Sequence, residues 1–208
     1  MIQSQKLWTI YEPEQQLIEQ LTSQLSVSTI AAKILIARGC KTVEQAAPLL
    51  KVDANQYHDP FLMAGMEQAV ARIEQALENG EKILVYGDYD ADGITSTTVL
   101  LNVLLDLGAD VDFVIPNRFK HGYGPNAELF REAHANGFGL IITVDNGISG
   151  IEPVKLAREL GMDVIITDHH EAGEILPDAN IIVHPRIPAG HYPFGELAGV
   201  GVAFKLAH

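Results

Sequence analysis

Two spacings of apolar residues divide this chain. From Glu14 to about Leu50 they return with the period of a helix: Leu17, Ile18 and Leu21 share one face, and Ile30, Ile34 and Ile36 recur within Ser28 to Arg38, where Gly39 can end the helix. Met66, Val70, Ile73 and Leu77 mark one face of another helix, closed by Asn79-Gly80. Lys51 to Pro60 is polar, ends in Asp59-Pro60, and is expected to be a connector. The chain up to Gly80 is therefore expected to be a helical lead-in. Beyond it, short apolar runs alternate with amphipathic stretches. Ile83 to Tyr86, Val111 to Ile115, Leu140 to Val144, Val164 to Thr167 and Ile181 to Val183 read as strands, and the segments around Ile94 to Leu107, Pro125 to Asn136 and Ile148 to Leu160 as helices. This alternation predicts an α/β fold with a mostly parallel sheet flanked by helices.

In such sheets the sites lie beyond the carboxyl ends of the strands. The first strand runs into Gly87-Asp88-Tyr89-Asp90-Ala91-Asp92-Gly93, the third into Asp145-Asn146-Gly147, and the fourth into Asp168-His169-His170. Each motif alone has a plainer reading. A DxD at a strand end caps helices or turns, Asp-Asn-Gly is a common turn, and one of two adjacent histidines is often structural. Converging at one edge, they place several carboxylates and two imidazoles together. Carboxylates packed this closely repel one another unless a cation neutralises them, and the mixture suits two divalent metals with a carboxylate bridging them. Two metals about 4 Å apart suit hydrolysis at phosphorus. Asp90, Asp92, Asp145 and His169 are the expected ligands. His170 can be a ligand, a proton donor or a phosphate contact, and Asp88 and Asp168 can instead orient their neighbours.

Composition changes this picture little. The 208 residues, 47% of them hydrophobic, suffice for a full core. Cys40 is the only cysteine, which rules out an intramolecular disulfide and a cysteine-rich zinc site and fits a cytoplasmic location. Met1 to Ile10 lacks the apolar core of a secretory signal, and no uncharged apolar run nears the roughly 18 residues that span a bilayer, so a soluble protein with no membrane role is expected. The net charge of −13 argues against a general electrostatic grip on nucleic acid, although bound metal would offset part of it. A dinucleotide-binding fold is disfavoured, because the loop after the first strand carries aspartates where a pyrophosphate needs glycines.

Together, Gly87 to Gly93, Thr143-Val144-Asp145-Asn146-Gly147-Ile148-Ser149 and Thr167-Asp168-His169-His170-Glu171 resemble the DHH phosphoesterase superfamily. Pro116-Asn117-Arg118-Phe119-Lys120-His121-Gly122-Tyr123-Gly124 and Leu197 to Phe204 are similar to segments of its RecJ branch, the single-stranded-DNA-specific 5′-to-3′ exonucleases. The similarity runs from about Asp59 to the last residue. It implies a helical N-terminal region at 1–58 and a DHH domain at 59–208. It also implies metal-dependent phosphodiester hydrolysis on single-stranded DNA, in repair and recombination, with Mn2+ or Mg2+ and two ions in the complete enzyme. By position, Asp90, Asp92, Asp145 and His169 match the family's metal ligands, and Asp88 and His170 belong to its catalytic cluster. Arg118 matches a contact to DNA phosphate, which its planar guanidinium suits. Tyr123 can stack on a base or simply anchor its loop. A related phosphodiesterase of short oligonucleotides, and a segment that binds metal without turnover, are the alternatives.

Two further segments lie near the same edge. His184-Pro185-Arg186 follows the fifth strand and can support the site, contact phosphate or lie at the surface. Leu197 to His208 starts a helix whose Gly199 and Gly201 permit close approach, for packing or for phosphate at its N-terminus. The family pattern continues past this point with another acidic ligand, a glycine-rich second domain and, in the RecJ branch, an oligonucleotide-binding fold. The chain stops at His208 within a helical pattern. The resemblance therefore implies a fragment truncated at its C-terminus, with an incomplete metal site, weak manganese binding and little nuclease activity of its own.

Overall fold

The computed structural model describes residues 11–51, 57–187 and 192–208, so the segment Met1 to Ile10, expected to carry no secretory signal, and part of the connector at Lys51 to Pro60 lie outside the described residues. The chain forms two compact units that meet in sequence between Tyr57 and His58. In the first, helices α1 (Gln15–Leu25), α2 (Thr29–Ala37) and α3 (Val43–Leu50) bury Ile18, Leu21, Ala32, Leu35, Ile36 and Ala46 in one small core. The Ser28 hydroxyl caps α2 at the amide of Ala31, and the Thr42 hydroxyl caps α3 at the amide of Gln45. Of the stripe expected on α2 only Ile36 points inward; Ile30 and Ile34 are 73% and 52% exposed. The helix is apolar on nearly every side, so periodicity alone does not select its buried face.

The second unit is a five-stranded parallel sheet in the order β2-β1-β3-β4-β5, with β1 (Lys82–Tyr86), β2 (Val111–Val114), β3 (Phe138–Val144), β4 (Asp163–Thr167) and β5 (Ile181–Val183). Helices cover both faces: α4 (Met66–Asn79), α5 (Ala91–Asp106) and α9 (Gly199–Ala207) one, α7 (Ala127–Ala135) and α8 (Ile151–Glu159) the other. The two-residue period of a strand divides the core between them. Ile83, Val85, Leu140, Ile142 and Ile165 pack with the first set, while Leu84, Tyr86, Ile141, Val164 and Ile166 pack with the second. Both faces are thus apolar, which is why these strands read as unbroken hydrophobic runs.

α4, expected as part of the lead-in, instead packs Met66, Ala69, Ile73 and Ala76 against the sheet. α5 begins at Ala91 rather than near Ile94, because the Asp90 carboxylate accepts from the Gly93 amide at 2.9 Å and caps it there. A one-turn helix, α6 (Arg118–His121), lies between β2 and α7 and has too few residues to show a period. No helix among the described residues is long and apolar enough to cross a membrane.

At the amino ends of the strands, Arg72 on α4 donates from Nε to Asp163 at 2.7 Å and from Nη2 to Glu81 at 2.8 Å. Asn180 continues the cluster, donating to Asp163 and accepting from the Val164 amide at 2.8 Å. One guanidinium thereby ties α4 to the starts of β1 and β4, and its Nη1 is buried without a partner. Arg72→Met would retain the aliphatic packing but leave two carboxylates facing one another without their cation. We expect it to lower stability by about 2–3 kcal/mol, somewhat less than for a fully buried pair. The urea unfolding midpoint reads this directly, and an unchanged midpoint would show that the cluster contributes nothing.

Candidate metal centre

Parallel strands deliver three loops to one edge. After β1 the chain passes through Asp88, which is 2% exposed and accepts from the Tyr89 amide at 2.7 Å. The first turn of α5 lies directly over it: a Cβ on Gly93 would stand 2.5 Å from the Asp88 Cβ, and one on Gly87 would stand 2.1 Å from the Thr97 hydroxyl. The two glycines that frame the aspartates are therefore required by close packing. Burial, reinforced by the charges of Asp90 and Asp168 and opposed by the Tyr89 amide, raises the Asp88 carboxyl above its ordinary value.

After β3, Asp145 adopts a left-handed backbone with φ 60°, a conformation that aspartate tolerates better than most residues. Asn146 holds the turn by donating to the carbonyls of Val144 at 2.9 Å and Tyr86 at 3.4 Å, while the Thr143 hydroxyl donates to the Asn146 carbonyl at 2.8 Å. Asp145 is 1% exposed, and its Oδ1 is buried without a hydrogen bond. His169 Nε2 stands 3.1 Å from it. A Cβ on Gly199 would lie 2.2 Å from the same oxygen. Burial first, then the charges of Asp92 and Asp90, push the Asp145 carboxyl from an ordinary 3.8 up to about 7.

After β4, Asp168 is a hub. Its Oδ2 accepts from the Ile148 amide at 2.9 Å, and its Oδ1 accepts from the amides of His169 and His170 and faces His170 Nδ1 at 2.7 Å. Burial alone would raise its pKa, but these donors outweigh it and hold Asp168 ionised below its usual value. The same contact, opposed by burial, raises the His170 imidazole. His170 Nε2 lies 3.2 Å from the Tyr123 hydroxyl. His184 accepts from the Arg186 amide at Nδ1, leaving Nε2 to donate to the His170 carbonyl at 2.7 Å, and the Arg186 guanidinium donates to the His169 carbonyl. His184 and Arg186 thus support the histidine loop from behind. With His184 1% exposed, a surface position for it is overturned.

Asp92 sits in the first turn of α5, and its carboxylate oxygens accept from the amides of Gly199 and Val200, both at 2.7 Å. A carboxylate of the chain itself therefore caps the N-terminus of α9. Asp92 Oδ2 also lies 3.6 Å from His169 Nε2. Ligand atoms of Asp88, Asp90 and Asp145 fall within 4.8 Å of one another, as do those of Asp145, His169 and His170. Asp145 is common to both groups. A buried carboxylate oxygen without a hydrogen bond, facing an imidazole nitrogen and set among other carboxylates, fits divalent cations that accept oxygen and nitrogen together.

Arg118 and Tyr123 lie beside this cluster. The Arg118 guanidinium stands 5.5 Å above the Tyr89 ring, and Tyr123 meets Tyr89 edge-on at 6.5 Å. Tyr123 is 58% exposed, with its hydroxyl at His170 and much of its ring open. Tyr89 escaped the sequence reading; its only signal was an aromatic placed between two of the aspartates.

Residues 82–208 match the model of the DHH family, N-terminal domain. The chain is 54% identical over 208 residues, all of it and 26% of the relative, to the single-stranded-DNA-specific exonuclease RecJ of Bacillus subtilis (strain 168). It is 47% identical over 145 residues, 69% of the chain and 25% of the relative, to the enzyme of that name from Escherichia coli (strain K12). The chain thus spans about a quarter of the length of these curated relatives. A crystal structure of RecJ in complex with Mn2+ from Thermus thermophilus superposes with a TM-score of 0.69 at 33% identity, covering 94% of this chain and 27% of that one.

Because the folded protein raises the Asp145 pKa, folding without metal is opposed once this group ionises. The stability it contributes as a neutral acid is lost as pH rises from about 4 through about 7. Asp145→Asn is therefore expected to stabilise the metal-free protein above pH 7, to lose that advantage near pH 4, and to abolish the gain in melting temperature that manganese gives the parent. Thermal melts across pH with and without manganese check this. A variant that is uniformly less stable, yet still stabilised by the metal, would contradict it.

Proposed function

The chain belongs to the DHH family, and on that footing we propose that it supplies the metal-binding domain of a cytoplasmic, single-stranded-DNA-specific exonuclease that works from the 5′ end in repair and recombination. The observation that carries this reading is Asp145, buried, without a hydrogen bond at Oδ1 and common to both donor groups. Asp88 and Asp90 would hold one Mn2+ or Mg2+ with it, and His169 the other, with Asp92 beside His169 as a further donor and His170 of that group kept for proton transfer. His169 Nε2 faces both Asp145 and Asp92. When bound, such ions supply an activated water and neutralise charge on the phosphoryl group. Asp92 has a second task, because the hydrogen bonds it accepts from the Gly199 and Val200 amides fix α9 against the first turn of α5.

The remaining groups act on substrate and protons. Asp168 holds the His170 ring through Nδ1 and favours its cationic form, so Nε2 can donate to a phosphate oxygen or a departing oxygen once it leaves the Tyr123 hydroxyl. Arg118 would take a backbone phosphate and Tyr123 a base.

Two experiments test the proposal. With the polypeptide of the whole reading frame and manganese, 5′-labelled single strands should release labelled mononucleotide at once, while 3′-labelled strands shorten gradually and duplex resists. Early release of the 3′ label would overturn the polarity, and activity confined to very short oligonucleotides would favour the related phosphodiesterases. His170→Ala should lower turnover by about 10²–10⁴-fold, the usual share of a general acid, while manganese binding measured by calorimetry persists. Unchanged turnover would remove His170 from the chemistry.

A further inference from the structure

α6 has a composition unlike the rest of this acidic chain: Arg118, Lys120 and His121 surround one phenylalanine, in a sequence of net charge −13. Its backbone is firmly built. The Asn117 side chain accepts from the amides of Phe119 and Lys120 at 3.0 and 3.3 Å, the Asn117 amide donates to His121 Nδ1 at 3.0 Å, and Asn126 donates to the His121 carbonyl at 3.1 Å. Gly122 then turns the chain with φ 78° and ψ −155°, a region that essentially only glycine occupies. Phe119 is nevertheless 96% exposed, the most open large hydrophobic side chain among the described residues. A fixed turn that holds a phenyl ring in water gains nothing for the core.

The turn is connected to the metal centre. His170 Nε2 meets the Tyr123 hydroxyl at 3.2 Å, the Tyr123 ring meets Tyr89 at 6.5 Å, and Tyr89 lies 5.5 Å beneath the Arg118 guanidinium, whose neighbour in sequence is Phe119. Aromatic and cationic groups thus succeed one another outward from the donor cluster. We propose that α6 is a base-stacking platform for single-stranded nucleic acid, with the Phe119 ring receiving an unpaired base and Arg118 and Lys120 receiving the flanking phosphates. The proposal rests on the phosphodiesterase reading of the adjacent centre, and it adds Phe119 and Lys120 to the residues that hold the strand.

The chemistry favours this partner. Every base has a π-face, so an exposed ring beside fixed positive charge binds single strands with little regard to sequence. In a duplex the bases already stack on one another and offer a lone phenyl ring no face. The patch is a single ring set among cations, and electrostatic attraction to phosphate offsets the otherwise repulsive charge of the chain.

The test compares a phosphorothioate oligothymidine, which resists hydrolysis, with an abasic strand of equal length, each in manganese. Phe119→Ala should weaken oligothymidine binding by about five- to hundred-fold, the range for loss of one stacked base, and leave abasic binding unchanged. Phe119→Trp should restore affinity, with indole emission quenched by oligothymidine beyond any change in the parent protein. Equal weakening on both strands would overturn the stacking role. No change on either would overturn the proposal and leave the patch to a protein partner. Manganese-dependent hydrolysis of bis(p-nitrophenyl) phosphate by the polypeptide of the whole reading frame separates the two readings: its absence counts against the phosphodiesterase centre, whereas its presence alongside a silent Phe119→Ala counts against the platform alone.

Discussion

A carboxylate buried among other carboxylates governs this domain. Asp145 is held in a left-handed turn, shielded from water and left without a hydrogen bond at Oδ1, next to groups that raise its pKa to about 7. Such an arrangement costs folding free energy unless a proton or a cation neutralises it. The surrounding structure keeps it in place nonetheless. Asn146 and Thr143 lock the turn, Gly199 makes room for the oxygen, and Asp92 anchors the helix on which Gly199 sits. Strain maintained by so many contacts belongs to a binding site rather than to a core.

The sheet determines which residues can share that site. Because all five strands run parallel, the loops after β1, β3 and β4 emerge at one edge, although Asp88 and His170 are far apart in sequence. Rigidity comes from a layer beneath the donors. Asp168 gathers the amides of Ile148, His169 and His170, while His184 and Arg186 hold the carbonyls of the histidine loop. These contacts fix the positions of the donor side chains, which limits the ordering that cation binding would otherwise require. At the opposite ends of the strands Arg72 does comparable work for α4, β1 and β4.

Much of this was legible in the chain itself. Strands buried on both faces appear as unbroken apolar runs, and a parallel sheet follows from their alternation with helices, so the convergence of three polar motifs could be anticipated. Interactions across long separations could not. Nothing local in Asp92 reveals that its oxygens bind the amides of Gly199 and Val200. Asp145-Asn146-Gly147 reads as an ordinary turn, and only the folded chain shows its aspartate buried. Likewise α6 is too short for a period, α4 changes its allegiance from lead-in to sheet, and Ile30 and Ile34 face outward because α2 carries no polar side to orient it.

The central claim is that one carboxylate joins two cation sites. Titration of the polypeptide of the whole reading frame with Mn2+, followed by electron paramagnetic resonance, tests it most directly. Two ions per chain with an exchange-coupled spectrum would bear the account out. A single ion per chain, with only the six-line signal of isolated Mn2+ at every ratio, would contradict it.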